Sequence, residues 1–360
     1  MTAANRPTTK RLARAGIRDV AAAAGVSITT VSDALNGKGR LPEATRRHVR
    51  EVADRLGYRP SAAARTLRTG RSGLLGLTVT TYGDEPFTFT EFAYFAEMAR
   101  AATSAALARG YALVILPASS RHHVWSNVAL DGTVVIDPAE HDPVVAELHR
   151  RGIPVVSDGK PGDSPVHAWV DNDHEAAVVA ILDHLSSAGA RRIGLLTGTS
   201  TDTYARQSTR AYLDWCERTG QEPVHESYPA HDSRAGAVAA DRLLARPDRP
   251  DAVYGLYDPN GTDLLAASRR YGLRVPDDLM IVCCSESDVY AGTEPPVTTL
   301  SLKPRLIGTT VVELLIDAIE GGGPRSSQGQ VIPHDLIVRA SSLRRAPRTT
   351  ISPPRAPGIG

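Results

Sequence analysis

Ile17-Arg-Asp-Val-Ala-Ala-Ala-Ala-Gly25-Val-Ser27-Ile-Thr-Thr-Val-Ser-Asp-Ala-Leu-Asn36 is the stretch on which the reading of this 360-residue chain turns. Ile17, Val20, Ala21 and Ala24 recur at i, i+3, i+4 and i+7, which predicts a short helix over Ile17–Ala24 with Gly16 as its N-cap. Asp19 lies in the first turn, at the positive end of the helix dipole. Gly25-Val26 makes a tight turn, and Ser27 caps a second helix, predicted over Ser27–Leu35, whose apolar face is Val31, Ala34 and Leu35. Asn36-Gly37-Lys38-Gly39 ends it, with glycines free to take positive φ. A third helix follows Pro42 at its N1 position and carries Val49, Val52, Ala53 and Leu56 on one face. Residues 16–59 therefore read as one all-α unit, two helices packed across a turn and braced by a third.

Charge separates this unit from the rest. Residues 1–72 hold 15 Lys and Arg against 5 Asp and Glu, and the remainder 26 against 35, so a net charge of +1 conceals +10 on the head and −9 on the body. Such asymmetry indicates a nucleic-acid-binding head on an acidic body. The head gains affinity for phosphate through counterion release, and the body resists non-specific adhesion. A solvated basic tail would give the same count, so charge alone does not decide.

Composition excludes several classes. No run approaches 18 uninterrupted apolar residues, which predicts no transmembrane helix. The basic stretch Met1 to Arg14 is followed by no apolar h-region, so no secretory signal is read and a cytoplasmic location is expected. Cys216, Cys283 and Cys284 make no metal-ligand spacing, and core packing in a reducing cytosol is the plain reading. His122, His123, His141, His149, His167, His174 and His184 show no H-E-x-x-H pattern. Gly194-Leu-Leu-Thr-Gly198 lacks the lysine of a phosphate loop, and no G-x-S-x-G elbow is present. No catalytic constellation, metal or cofactor is expected.

Outward from the head, residues 1–15 are basic and unpatterned and read as a disordered arm. Residues 60–72 form a basic linker of small residues, helix-compatible from Ser61 but too short to hold a helix alone. From Gly73 the texture changes to apolar strands alternating with amphipathic helices. Strands are predicted at Leu74–Val79, Ala112–Leu116, Thr133–Ile136, Pro154–Val156, Arg192–Leu196, Ala252–Leu256 and Leu279–Cys283. Helices are predicted at Glu91–Arg109, Pro143–Arg151, Asn172–Ser187, Tyr204–Arg218, Ala235–Ala245, Thr262–Tyr271 and Leu306–Glu320. This alternation predicts doubly wound parallel sheets. Residues 73–343 are long for one such sheet, so two lobes with a cleft are expected, with ligands outside the carboxyl ends of the strands. Residues 344–360, rich in Pro and Arg, read as a disordered tail.

The pattern D-V-A-x-x-A-G-V-S-x-x-T-V-S-x-x-L-N, carried by Asp19 to Asn36, closely resembles the headpiece of the lactose-repressor (LacI/GalR) family. Further marks follow: Thr45-Arg46, Leu56-Gly57-Tyr58-Arg59-Pro60, Arg151-Gly-Ile-Pro-Val-Val156, Val170-Asp-Asn172, Ala190-Arg-Arg-Ile-Gly194, Gly272-Leu-Arg-Val-Pro276 and Pro295-Pro-Val-Thr-Thr299. The resemblance spans nearly all of residues 16–343. It implies a helix-turn-helix headpiece, a hinge, and a two-lobed α/β core resembling periplasmic sugar-binding proteins, in a repressor whose grip on DNA a small molecule controls.

A recognition helix aims its N-terminal side chains at base edges in the major groove, here Ile28, Thr29, Ser32 and Asp33. Thr29 and Ser32 can hydrogen-bond bases, and Ile28 can meet a thymine methyl. Thr30 and Val31 read as structural, and Ser27 suits both a cap and a phosphate contact. The resemblance places Ile17, Arg18, Thr45 and Tyr58 against phosphate or flanking bases. Lys38, Arg40 and Arg46 are phosphate candidates or solvated charges alike. Asp33 departs from the long polar or basic residue common there, and needs a cytosine amino group or a neighbouring arginine to be tolerated in the groove. Leu67 has no core to join and reads as a wedge for the minor groove, with Ser61 and Ala64 joining it in the DNA-contacting hinge. Two hinges side by side require a homodimer, which matches a pseudo-palindromic operator. Dimer rather than tetramer is expected, since no leucine heptads occupy Arg344–Gly360.

For the effector, a sugar or related polyol, the resemblance points to Arg206 and Asp258. An arginine fork facing a carboxylate suits a polyhydroxylated ligand. A surface helix charge at Arg206 and a helix cap at Asp258 are the plain alternatives. Asp137, at the end of its strand, and Phe87 and Phe89, able to stack on a sugar ring, complete the candidates. Tyr257 in place of Asn, and Cys284-Ser285-Glu286 in place of Tyr-Asp-Asp, leave the effector's identity and the sign of its action open. A sugar-binding transport receptor would share the core but carry a signal peptide and no helix-turn-helix.

Overall fold

The structure is a computed structural model that describes residues 15–37, 39–59, 70–80, 92–119, 124–199, 203–229, 234–321 and 328–344. The arm and tail expectations, Lys38, the hinge candidates Ser61, Ala64 and Leu67, and Phe87 and Phe89 lie outside the described residues, Arg344 and Ala15 apart. The chain divides into two compact units, Met1–Ser72 and Gly73–Gly360.

In the first unit three helices, α1 (Ile17–Ala24), α2 (Ile28–Asn36) and α3 (Glu43–Arg55), bury Val20, Ala21, Ala24, Val31, Ala34, Val49, Val52 and Ala53 in a common core. Local chemistry fixes their ends. Asp19 Oδ2 accepts from the Gly16 backbone N–H at 2.7 Å, and Ser27 Oγ accepts from Thr30 N–H at 3.1 Å. Gly25 and Gly37 close α1 and α2 in the left-handed region, with φ of 66° and 67°. Pro42 is the N-cap of α3 and not its first helical residue, a one-position correction; it offers no side-chain acceptor. Leu56 is the C-cap of α3 and is exposed, outside the apolar face assigned to it.

The second unit holds two six-stranded sheets. The first joins β1 (Leu74–Val79), β2 (Ala112–Ile115), β3 (Gly132–Ile136), β4 (Val155–Asp158), β5 (Ala168–Asn172) and β11 (Gln328–Ile332) in the order β11-β5-β4-β3-β1-β2, all parallel. The second joins β6 (Ile193–Gly198), β7 (Val224–Tyr228), β8 (Ala252–Gly255), β9 (Met280–Cys284), β10 (Thr298–Ser301) and β12 (Asp335–Ile337) in the order β12-β10-β9-β8-β6-β7, with only β12 antiparallel. Helices α4 (Ala93–Ala108) and α11 (Pro304–Glu320) pack their apolar faces on the first sheet. Helices α7 (His174–Ser187) and α8 (Thr203–Thr219) cover one face of the second sheet. Helices α9 (Ala235–Ala245) and α10 (Asn260–Arg270) cover its other face. Two short helices, α5 (Val124–Asn127) and α6 (Pro143–Arg150), complete the first lobe.

Each lobe reverses its strand order between its first and third strands, so each offers a crevice at the carboxyl ends there. The predicted strands are present with ends displaced by one or two residues. The sequence reading missed β5, β7, β10, β11 and β12. At β5 it also began a helix too early, since Asn172 ends the strand and Asp173 caps α7 by accepting from Ala176 N–H at 2.9 Å.

The chain crosses between lobes three times: after β5, between β10 and α11, and between β11 and β12. Asn172, buried, ties all three. Its Nδ2 donates to the carbonyls of Leu302 at 3.1 Å and Ile332 at 2.8 Å.

Candidate DNA-binding surface and ligand cleft

The predicted readout face stands out from its helix. Val31 and Ala34 are fully buried, which turns Ile28 and Thr29 outward; Ile28 is 44% exposed, an uncommon position for a large apolar side chain in so small a unit. Ser32 and Asp33 are half-buried at the flank. Arg18 is exposed, Thr45 is half-buried, and Ile17 and Tyr58 pack partly against the core of the unit. Ser27 serves as the cap, and its hydroxyl also lies 2.8 Å from that of Thr30, which accounts for Thr30 as a structural residue.

Arg46 acts structurally here. Its guanidinium donates to the carbonyl of Asp33 at 3.4 Å and that of Gly39 at 2.6 Å, clamping the end of α2 and the turn after it. The Asp33 carboxylate lies against Gly39, where an added Cβ would sit 3.0 Å from Oδ2 at a φ of +73°. The positive φ favours glycine there, and a larger residue would also displace the Asp33 carboxylate by a few tenths of an ångström. Charged hydrogen bonds of this kind contribute about 1.5–3 kcal/mol. Arg46→Ala is expected to raise amide hydrogen exchange at residues 33–42 about ten-fold or more, with exchange in the second unit unchanged.

Between the lobes of the second unit lies a space of about 620 Å³, partly open to solvent. The first lobe walls it with Phe92, Tyr94, Phe95, Asp137, Asp158 and Asp171. The second lobe and its crossovers supply His174, Tyr204, Leu256, Tyr257, Cys284 and Leu302. The three aspartates end or follow β3, β4 and β5, as parallel strands dictate. Asp137 holds a φ of 48°, outside the usual range for a residue with a Cβ, and its N–H donates to the Asp158 carbonyl at 2.8 Å. Asp158 is 3% exposed and accepts from the Tyr94 hydroxyl at 3.0 Å. Burial, and then the charge of Asp171, pushes its carboxyl up to about 8. Asp171 accepts from Asn172 N–H at 2.7 Å and Lys160 N–H at 2.9 Å, and lies 2.9 Å from His174 Nε2. Burial also raises the phenols of Tyr94 and Tyr204 well above their ordinary range, so both remain donors.

Of the effector candidates, Asp137 lines this space. Arg206 is half-exposed and pairs across the cleft mouth with Glu140 at 3.1 Å, lobe to lobe. Asp258 is not a helix cap, because Pro259 takes that place in α10. Its carboxylate instead accepts from the Ser285 hydroxyl, and burial raises its pKa. Neither is among the residues lining the cleft. Asp158, Asp171, His174, Tyr94 and Tyr204 were missed. The usable signal was an aspartate at the carboxyl end of two successive parallel strands. Among the described residues no group of three or more His, Cys, Asp or Glu is placed to hold a metal ion, and no helix is long and apolar enough to cross a membrane.

Comparison with known proteins adds the rest. Residues 16–61 match the family model of bacterial regulatory proteins, lacI family, and residues 182–342 match that of a periplasmic binding protein-like domain. The chain is 29% identical to the HTH-type transcriptional regulator CelR of Thermobifida fusca over 322 residues, 87% of this chain and 94% of the relative. It is 25% identical to the HTH-type transcriptional repressor PurR of Photobacterium profundum over 338 residues, 91% and 98% of the two chains. A solved complex of CelR with cellobiose superposes with a TM-score of 0.66 at 27% identity, covering 91% of this chain and all of that one. The lac repressor dimer bound to operator and an anti-inducer shares the fold, with a TM-score of 0.80 at 22% identity over 92% of this chain and all of that one. With helix-turn-helix unit, two-sheet core and relatives all in agreement, the chain joins a lacI-family DNA-binding region to a periplasmic-binding-protein-like domain and is a DNA-binding transcriptional regulator.

Proposed function

We propose that the protein is a cytoplasmic homodimeric repressor that binds a pseudo-palindromic operator and is switched by a small molecule, of the sugar class, held between its lobes. It acts by binding and not by catalysis. The observation that carries this reading is the pairing, in one chain, of an outward-facing Ile28–Thr29 surface with a two-lobed core whose cleft is walled by polar groups at strand ends. Ile28, Thr29, Ser32 and Asp33 read bases, Ile17, Arg18, Ser27, Thr45 and Tyr58 hold backbone or flanking positions, and Ser61, Ala64 and Leu67 work in the hinge. The repressor names of its relatives, the cellobiose bound to CelR and the operator-bound lac dimer support the assignment by analogy. Asp137 is the candidate retained for the ligand; Arg206 acts at the cleft mouth and Asp258 behind it.

Ligand binding changes the angle between the lobes, and with it the joint placement of two hinge segments that are too short to be stable alone. A coupling of about 1–3 kcal/mol changes operator occupancy roughly 5–150-fold.

The test is binding of the full-length protein to a fragment carrying its own promoter. Affinity is expected to be sequence-selective and to fall steeply with salt, as released counterions require. Removing residues 1–72 is expected to abolish it while ligand binding persists. Salt-insensitive or unselective binding would overturn the assignment, and a sedimentation mass near four chains would overturn the dimer.

A further inference from the structure

We propose that the ligand of the cleft carries a protonated amine, on a sugar or polyamine skeleton, seated against Asp158 and Asp171 with aromatic rings around it. The inference rests on the cleft being the effector site.

Three carboxylates, Asp137, Asp158 and Asp171, line the cleft, and no lysine or arginine is among its described lining residues. Arg206, at the mouth, is engaged by Glu140, and the Lys160 ammonium lies over the Trp169 ring, 5.8 Å from its centroid. Asp158 and Asp171 are 3% and 5% exposed, too buried for water to compensate two negative charges. That burial favours a proton on Asp158; a neutral sugar leaves the proton there, whereas an ammonium takes its place and can hydrogen-bond both carboxylates.

A second observation is independent of charge. His174 is 7% exposed, forms part of the cleft wall, and has no partner at Nδ1. Its Nε2 lies 2.9 Å from Asp171 Oδ1, which leaves the buried Nδ1 as the ring nitrogen still without a hydrogen-bond partner beside the cleft. Tyr94, Phe95 and Tyr204 add aromatic surface, with Tyr94 edge-on to Phe95 at 5.3 Å and Tyr204 edge-on to His174 at 4.9 Å between centroids. Aromatic faces beside carboxylates favour a cation over a neutral group of equal shape.

Binding is then linked to protons. The groups facing Asp158 are the Tyr94 hydroxyl from α4, Asp137 from the end of β3, and Asp171 from β5 with His174 of α7 behind it. None of them is a fixed cation. Without ligand, burial and then the charge of Asp171 hold the Asp158 carboxyl well above the ordinary carboxylate range, which favours its protonated form. An arriving ammonium favours the carboxylate, and the proton leaves to solvent.

Calorimetry on the full-length protein tests this with four probes: the β-1,4 disaccharide of glucosamine, its N,N′-diacetyl form, cellobiose and spermidine. The free-amine disaccharide is expected to bind about ten-fold or more tightly than the diacetyl form and cellobiose, the effect of one pKa unit at Asp158. It should release protons at pH 6, where its amines are already ammonium before binding, in buffers of differing ionisation enthalpy. Asp158→Asn is expected to erase both the preference and the proton release. Tighter binding of spermidine than of the disaccharide would assign the polyamine skeleton. Equal or tighter binding of cellobiose or the diacetyl form overturns the inference, as does failure of both amines to bind at millimolar concentration. Promoter binding in the same preparation shows whether the regulator assignment survives that failure.

Discussion

Asn172→Leu is expected to lower the melting temperature of the second unit by about 5–10 °C. The side chains share one branching pattern, though leucine is bulkier, so lost hydrogen bonding and some overpacking act together. Asn172 Nδ2 supplies both donors that reach the carbonyls of Leu302 and Ile332, and all three residues are less than 5% exposed. Leucine leaves the two carbonyls buried without that donor, at a cost of about 1–3 kcal/mol each, partly relieved by relaxation. In a domain of this size 1 kcal/mol moves the midpoint by about 2–4 °C. The three residues also sit on the three crossings between lobes, so the same change is expected to loosen the joint between them. Ligand is then expected to bind the variant still, while the ligand-driven change in promoter affinity shrinks. Calorimetric melting and promoter titration, with and without ligand, measure the two effects separately. An unchanged melting temperature would show that the crossings are held by the sheets alone.

What the sequence revealed follows from where the stabilising interactions lie along the chain. Helices α1 and α2 were readable to within a residue because their caps, Asp19 to Gly16 and Ser27 to Thr30, and their apolar faces are local. Parallel strands such as β3 and β9, buried throughout or nearly so, announced themselves as apolar runs. Strand β10, Thr-Thr-Leu-Ser, did not, because its buried hydroxyls are satisfied from afar. Thr298 Oγ1 donates to the Arg339 carbonyl at 3.1 Å and meets Ser342 Oγ at 2.6 Å, 40 residues and more along the chain. Edge strands β7, β11 and β12 likewise take their identity from a neighbour and not from a pattern. The cleft shows the same division. Asp137 was legible as a strand-end carboxylate, but the proximity of Asp158 and Asp171 comes from the pairing of β4 with β5. Residue matching selected Arg206; its ion pair with Glu140 depends on how the two lobes meet.

That proximity of carboxylates carries the second large effect: Asp158→Asn is expected to stabilise the ligand-free protein at pH 8 and to leave it nearly unchanged at pH 4. In the folded chain burial and Asp171 raise the Asp158 carboxyl to about 8, whereas unfolded aspartate titrates near 3.9. Between those values the unfolded state holds fewer protons than the folded one, so stability falls as pH rises. The loss is absent below about pH 4 and complete above about pH 8. Asparagine keeps an acceptor for the Tyr94 hydroxyl and cannot ionise, so the difference between variant and parent grows across this window to about 1–3 kcal/mol, discounted from the full linkage value because the surroundings of a buried charge relax. Urea denaturation at half-unit intervals of pH measures it. A difference independent of pH would mean that Asp158 titrates normally and that the cleft tolerates both charges unaided. If the difference instead grows with pH and disappears when an amine ligand saturates the parent, the instability of the empty cleft is the free energy that ligand binding recovers.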